Sequence, residues 1–202
     1  MNELLDFMVM PERFSFSPQD YQYFHQLLDK RTIIFNTDID ENIVESVYLP
    51  LREFEHDSKG KVTLILHSSG GCVTDGFFLA NYIATYSAPL DIYVLGYAAS
   101  MAAVILCAGG KNPNVTRYCY PSTYALIHDG YIALKSSETK TAEDIMNYNK
   151  KVDGQIRQFI IDNTRITPEQ YDAQTRHQWF IGAEEMKELN IVDVILDGDE
   201  SK

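Results

Sequence analysis

At 202 residues, the chain is long enough to bury a hydrophobic core of its own without disulfide or metal support. Apolar residues make up 45% of the sequence and charged residues 23%, which are ordinary values for a folded globular protein and argue against disorder. The net charge of -12 should repel phosphate backbones, and no apolar run approaches the roughly 20 residues that span a bilayer, so neither nucleic acid nor membrane is an expected partner.

The cysteines and the first residues of the chain indicate a compartment. Cys72, Cys107 and Cys119 lack the spacing of a zinc site, and the last two lie in apolar surroundings that are typical of small core residues. The N-terminus has neither the basic start nor the long apolar stretch of a secretory signal. The sequence therefore predicts a cytoplasmic protein without a resident metal.

Helical periodicity and short runs of β-branched and aromatic residues alternate along the chain. The predicted strands cover 31–39, 62–68, 91–97 and 191–196, with two more short strands within 116–128. The predicted helices cover 17–30, from 40 at least as far as Pro50, 74–87, 98–110, 139–163, a segment from 167, and 183–190. Thr167, which precedes Pro168, is the predicted cap of its helix. Because strands alternate with helices, we expect a mostly parallel sheet in one α/β domain of repeated β-β-α or β-α units.

The first of two notable strand-to-helix junctions runs from His67 to Val73 and contains Gly70 and Gly71. Two glycines after a buried strand let the backbone turn sharply. The N–H groups at the start of the next helix could then hold an oxyanion. A tight turn without any chemistry is the alternative interpretation.

Ser100 lies in the second junction, at the start of a predicted helix of small residues. Its hydroxyl would lie near the positive end of the helix dipole, so Ser100 is either a nucleophile or an ordinary N-cap serine. His128 ends a predicted strand, where a parallel sheet presents side chains to a cleft, and is either a base or a structural histidine. The sequence contains no G-x-S-x-G elbow, no HExxH pair and no G-x-x-x-x-G-K-[ST] loop, so it does not predict an α/β-hydrolase, a metal site or ATP hydrolysis by this chain.

Three blocks, LILHSSGGCVTDG, VLGYAASMAAVILCAGG and YALIHDG, resemble in this order the proteolytic subunit of the Clp proteases. That family has a strand ending in S-P-G-G-x-V-x-x-G, then G-x-A-A-S-M, then a strand ending in M-I-H-Q-P. The similarity extends over about residues 20–196. It implies a ClpP/crotonase-like α/β fold of repeated β-β-α units, with a single peptidase domain over 1–202, an N-terminal axial segment over 1–17 and a protruding handle helix over about 139–163.

Carried over by position, the resemblance makes Ser100 the nucleophile and His128 the base that takes its proton. The N–H groups of Gly71 and Met101 would form the oxyanion hole. Gln178 stands where the family has an aspartate. A glutamine can orient an imidazole, but it cannot stabilise an imidazolium as a carboxylate does.

The sequence departs from the family pattern elsewhere as well. Ser69 replaces the proline of S-P-G-G, and the residues after His128 are not the family's Gln-Pro. Asp172, Asp129 or Glu184 could supply the missing carboxylate, and the sequence leaves that choice open.

The resemblance also implies an assembly. Such subunits form seven-membered rings stacked face to face, so we expect a tetradecamer of this chain, or a mixed ring with a second ClpP-like subunit, that encloses the active sites. Polypeptides are the implied substrates. No cofactor is implied, because a separate AAA+ unfoldase would bind to the ring and hydrolyse ATP.

Three functions are compatible with these features. The first is a serine endopeptidase subunit that hydrolyses peptide bonds of unfolded proteins or peptides inside a closed chamber. The second is a catalytically weak or inactive subunit with a structural or regulatory role, which Gln178 motivates. The third is another activity of the crotonase-like fold, such as acyl-CoA chemistry or signal-peptide digestion. The A-A-S-M block, followed by I-H, argues against acyl-CoA chemistry.

Overall fold

The computed structural model describes residues 27–57, 60–128 and 139–196, with side chains from residue 143 in the last range. The strands in these ranges are β1 Thr32–Phe35, β2 Val62–Ser68, β3 Leu90–Ala99, β4 Val115–Cys119, β5 Tyr124–Ile127, β6 Trp179–Gly182 and β7 Val194–Ile195. The α-helices are α1 Leu49–Asp57, α2 Val73–Ala84, α3 Met101–Ala108, α4 Thr139–Asn163, α5 Pro168–Gln174 and α6 Ala183–Glu188.

One mostly parallel sheet organises these elements, as the sequence predicts. Its main path runs β1-β2-β3-β4-β7, and every pair along it is parallel. Strand β3 is long enough to pair twice: Leu90–Val94 pairs with β4, and the later part from Tyr97 to Ala99 pairs with β5. Strand β6 then adds to β5 as an antiparallel strand. The sheet therefore divides along β3 into two branches. The first branch contains β4 and β7, and the second contains β5 and β6.

Each helix predicted within the described residues is present, but several ends differ from the prediction. The helix predicted over 98–110 begins at Met101, because Ala98 and Ala99 extend β3. The helix predicted over 74–87 ends at Ala84, and residues 40–42 are not helical.

Helix α4 covers 139–163, and α5 begins with a capping box, in which Thr167 Oγ1 accepts the Gln170 N–H at 3.2 Å and Gln170 Oε1 accepts the Thr167 N–H at 3.0 Å. Of the helix predicted over 17–30, only residues 27–30 are described: 27–29 are helical and Lys30 is in a turn. The predicted axial segment 1–17 lies outside the described residues. None of the helices in the described ranges has the length and apolar character needed to cross a bilayer.

The helix predicted from residue 40 at least to Pro50 continues to Asp57. Pro50 is the second residue of α1. The N–H groups of the first helical turn have no acceptor within an α-helix, so a proline there removes no hydrogen bond of that helix. The residues before it, Val44–Tyr48, form a π-helical turn rather than an α-helical one.

The sequence analysis assigned no strand to Trp179–Gly182, where the structure has β6. Trp179 and Ile181 are buried, whereas Phe180 is 56% exposed. Such alternation is typical of a half-buried strand, and it was the available signal. A stretch of four residues is too short for this alternation to stand out from chance.

Helix α3 lies at the centre of the core, where all eight of its residues are buried. It packs against α2 on one side and α4 on another. Its small residues let these elements approach closely, because they add little bulk between the backbones. Cys107 of α3 and Cys119 of β4 are both buried, which confirms that they are small core residues.

A buried ion pair fastens β4 to the segment before β7. The Arg117 side chain is 1% exposed, and its Nε and Nη2 donate to the two carboxylate oxygens of Asp193 at 2.9 and 2.7 Å. The guanidinium also donates to the backbone carbonyl and the side-chain oxygen of Asn190 at 2.9 and 3.1 Å. These contacts compensate the cost of burying the charge, which would otherwise be several kcal/mol.

Replacing Arg117 by alanine should therefore lower the free energy of unfolding by about 2–4 kcal/mol, because a side chain that is 1% exposed is lost and its acceptors on Asp193 and Asn190 lose their donor. Urea denaturation of the purified protein measures this. Arg157→Ala is the matched control: its ion pair with Asp172 is exposed, and its loss should cost about 1 kcal/mol or less. Equal losses in the two variants would contradict a special role for the buried pair.

The cysteines should differ sharply in reactivity. Burial raises the pKa of the Cys107 thiol to about 12 and that of Cys119 to about 11, whereas Cys72 is exposed. Only thiolates are alkylated, and a thiol with a raised pKa stays protonated at neutral pH. We expect iodoacetamide to modify the folded chain at Cys72 alone and the urea-unfolded chain at all three cysteines, as read by mass spectrometry. Rapid labelling of Cys107 in the folded protein would contradict the structure.

Candidate active site

Ser100 lies in a strained turn between β3 and α3. Its φ of 54° and ψ of −124° belong to a backbone region that residues other than glycine rarely adopt, at a cost of about 1–3 kcal/mol. The turn is held on both sides: the Ser100 N–H donates to the Leu126 carbonyl of β5 at 2.8 Å, and the Ser100 carbonyl accepts the Ala103 N–H at 3.0 Å. A strained serine at a strand-to-helix turn is the arrangement that presents a nucleophilic hydroxyl to a cavity.

The glycine turn after β2 packs directly against the Ser100 turn. Gly70 has a φ of 95°, and a Cβ placed on it would lie 2.8 Å from Ser100 Cβ and 2.9 Å from the Met101 nitrogen. Gly71 has a φ of 149°, and a Cβ there would lie 2.2 Å from the Ile39 carbonyl oxygen. Neither position can therefore carry a side chain without moving the backbone beside it. The two junctions that the sequence singled out meet in space.

Four of the predicted site residues line one cavity of about 420 Å³: Gly71, Ser100, Met101 and His128. Met101 is the first residue of α3, so its N–H belongs to the group at a helix start that has no intrahelical acceptor. Aliphatic side chains, among them Val104 of α3 and Ile156 of α4, form part of the remaining wall. The cavity therefore combines the predicted nucleophile, base and oxyanion donors with an apolar surface.

Gln178 is the predicted site residue that does not line this cavity. It is exposed and directly precedes β6, while the half-buried His128 directly follows β5. The antiparallel register pairs Ile127 with Trp179, and the next residue beyond this last pair is His128 on one chain segment and Gln178 on the other. The pairing of β5 with the missed strand β6 therefore brings the backbone of Gln178 near that of His128.

Asp172, one of the three carboxylates that could replace the missing aspartate, lines the cavity. However, its two oxygens accept hydrogen bonds from Arg157 Nε at 2.6 Å and Arg157 Nη2 at 2.8 Å. These bonds hold the pKa of the Asp172 carboxyl below its ordinary value. The Asp172 carboxylate is therefore paired with Arg157 in this structure, through a partly exposed ion pair. Glu184 is exposed and does not line the cavity, and Asp129 lies outside the described residues.

The cavity wall holds charged side chains of both signs. Asp153, Arg157, Asp172 and Arg176 contribute to it from α4, α5 and the turn after α5. Among the residues that the structure describes, no three His, Cys, Asp or Glu side chains cluster so that they could hold a metal ion. The residues that the sequence analysis singled out and that line this cavity are Gly71, Ser100, Met101, His128 and Asp172.

Comparison with known proteins places the whole arrangement in a family. The Clp protease family matches residues 16–199. The ATP-dependent Clp protease proteolytic subunit 1 of Bacillus cereus (strain ATCC 10987 / NRS 248) is 28% identical over 190 residues, which are 92% of this chain and 95% of that protein. The structure of a point mutant of ClpP1 from Listeria monocytogenes superimposes with a TM-score of 0.74 over 88% of this chain and 98% of its own, at 22% identity, which shows the same fold.

The glycine turn generates a prediction that is independent of activity. Gly71→Ala should lower the free energy of unfolding by about 1–3 kcal/mol, because its methyl group would overlap the Ile39 carbonyl and force the backbone apart. Gly154→Ala in α4 is the matched control: no atom lies within 4 Å of the added Cβ, so alanine should stabilise the helix by about 0.5–1 kcal/mol. Urea denaturation measures both. A neutral Gly71→Ala would contradict the packing of this turn.

Proposed function

Because the chain belongs to the Clp protease family, we propose that it is a serine endopeptidase subunit that hydrolyses peptide bonds of unfolded proteins or peptides. Ser100 is the proposed nucleophile, His128 the proposed general base, and the N–H groups of Gly71 and Met101 the proposed oxyanion hole. The observation that carries the proposal is the strained Ser100 turn packed against the glycine turn, with His128 on the wall of the same cavity.

The proposed reaction proceeds in two stages. The Ser100 hydroxyl attacks the scissile carbonyl carbon while His128 takes its proton, and the carbonyl oxygen becomes an oxyanion that the two N–H groups stabilise. The C–N bond then breaks, and the protonated His128 delivers the proton to the leaving amine. Water next attacks the acyl-serine ester with His128 again as base, which releases the new carboxylate and restores Ser100.

Gln178 should make this reaction slower than a carboxylate would. A neutral amide oxygen can accept a hydrogen bond from the imidazole, but it does not stabilise the imidazolium that forms in each stage. The nearby Asp172 carboxylate is paired with Arg157, and leaving that partly exposed pair would cost little free energy. Gln178 is therefore the main reason to expect reduced activity.

A catalytically silent subunit with a structural or regulatory role is the second candidate function. Two observations about the third member of the triad favour it: Gln178 is neutral, and the Asp172 carboxylate is bound to Arg157. In this case a second ClpP-like subunit in a mixed ring would supply the catalysis.

The proposed assembly follows from the family resemblance. Subunits would form stacked heptameric rings in the cytoplasm, with α4 as the handle between rings and the N-terminal segment near the axial pore. A separate AAA+ unfoldase would hydrolyse ATP and feed the polypeptides, since this chain lacks the glycine-rich loop of P-loop ATPases. No resident cofactor is required for the proposed reaction.

Fluorophosphonate labelling of the purified wild type, Ser100→Ala and Gln178→Asp variants tests this proposal. Labelling should occur in the wild type, disappear in Ser100→Ala, and accelerate by roughly 10- to 1,000-fold in Gln178→Asp, because the family carboxylate is restored. Gln155→Asp is the matched control: the residue is exposed and does not line the cavity, so the same change there should leave the labelling rate within about twofold of the wild type.

Each result separates the candidates. Labelling of Gln178→Asp but not of the wild type would select the silent subunit. If neither variant with an intact Ser100 is labelled while both remain folded, then Ser100 and His128 are not a working pair in the isolated chain.

A further inference from the structure

The peptide group between Gly70 and Gly71 is held from one side by a loop residue, Ile39. The Ile39 N–H donates to the Gly70 carbonyl at 2.8 Å, and the Ile39 carbonyl accepts the Cys72 N–H at 2.8 Å. In a trans peptide, the C=O and the following N–H point in opposite directions within one plane. With the Gly70 carbonyl aimed at Ile39, the Gly71 N–H must point away from that loop. The position of Ile39 therefore sets the direction of a proposed oxyanion-hole donor.

The residues just before Ile39 are fastened to the glycine turn by two serines. Ser68 Oγ donates to the Thr37 carbonyl at 2.6 Å, and it also accepts the Gly70 N–H at 3.2 Å. Ser69 Oγ donates to the carboxylate of Asp38. Both bonds join the loop before Ile39 to the residues immediately before Gly70. These side-chain bonds add to the two backbone bonds that Ile39 itself makes to the turn.

The two serines differ in what their loss would cost. Ser68 is 2% exposed, so its hydroxyl belongs to the buried core of the turn and its removal would disturb folding. Ser69 and Asp38 are both exposed, and an exposed hydrogen bond contributes little to stability. Asp38 is one residue from Ile39, and Ser69 is two residues from Gly71. The charge-assisted hydrogen bond between them therefore contributes mainly to the position of these two backbone segments.

We propose that the Ser69–Asp38 hydrogen bond is a positioning interaction, which fixes the Ile39 loop and thereby aims the Gly71 N–H at the developing oxyanion. This inference rests on the proposed peptidase function and adds two positioning residues to it. A proline at position 69 would restrict the backbone of the turn through its ring, and Ser69 restricts the same backbone through its hydrogen bond to Asp38. Its loss affects the transition state, where the oxyanion is present, and not the binding of the uncharged carbonyl.

Kinetics of peptide hydrolysis test the proposal in the assembled full-length protein. Ser69→Ala and Asp38→Ala should each lower kcat about tenfold with KM unchanged, which is less than the 100- to 1,000-fold typical when an oxyanion donor is removed outright. The double variant should lose no more than either single variant, because both remove the same bond. Asp38→Asn keeps an oxygen acceptor for Ser69 and should retain most of the activity.

A second-site change provides the rescue. Ser69→Pro in the Asp38→Ala background should restore kcat, since the ring stiffens the turn without needing the carboxylate. Urea denaturation alongside should show that Ser69→Ala and Asp38→Ala unfold at nearly the same urea concentration as the wild type, as expected for the loss of an exposed bond. A general structural role would instead lower stability and change KM together with kcat.

The outcomes separate this inference from the proposed function. If the wild type hydrolyses peptides with Ser100 and the Ser69→Ala and Asp38→Ala variants keep the wild-type kcat, the positioning role is wrong while the peptidase assignment stands. If Ser100 shows neither hydrolysis nor fluorophosphonate labelling in the wild type, the proposed function fails and the positioning role falls with it.

Discussion

The contact between the glycine turn and the Ser100 turn is the constraint on which the rest of the cavity depends. Gly70 lies so close to Ser100 and Met101 that no side chain fits between them. That approach requires β2 and β3 to be adjacent and parallel, so that both strands end at the same edge of the sheet. The strained Ser100 backbone is then stabilised from a third direction, because its N–H is bonded to the Leu126 carbonyl of β5. The strained backbone of Ser100 persists because β2, β3 and β5 together fix its position.

The fork in the sheet determines which residues reach that edge. Strand β4 pairs only with the first half of β3, so β5 can pair with the second half and end beside the Ser100 turn. This places His128 on the cavity wall, and the antiparallel strand β6 continues the second branch toward Gln178. Helices α4 and α5 form further parts of the wall, where the ion pair between Arg157 and Asp172 joins them. The positions of Ser100 and His128 on the cavity wall thus depend on the irregular strand β3.

The sequence predicted those features that local patterns encode. The alternating elements, the parallel sheet, the capped start of α5 and the two junctions that contain Gly71 and Ser100 all follow from residues close together in the chain. Strand β6 could not be predicted, because its four residues gain their meaning only by pairing with β5, more than fifty residues earlier. The bond between Arg157 and Asp172 was missed for a related reason: nothing local shows that α4 and α5 lie side by side. For the same reason, the closeness of Gln178 to the end of β5 required the structure.

The buried ion pair between Arg117 and Asp193 has a consequence for how the protein is made. The partners are 76 residues apart, so during synthesis β4 exists long before the acidic group that neutralises its buried guanidinium. In that interval β4 lacks its β7 neighbour and presents an open edge that another nascent chain can join. Strand pairings between distant residues also form slowly. The open β4 edge is therefore an expected site of aggregation during synthesis, before the residues of β7 have been made.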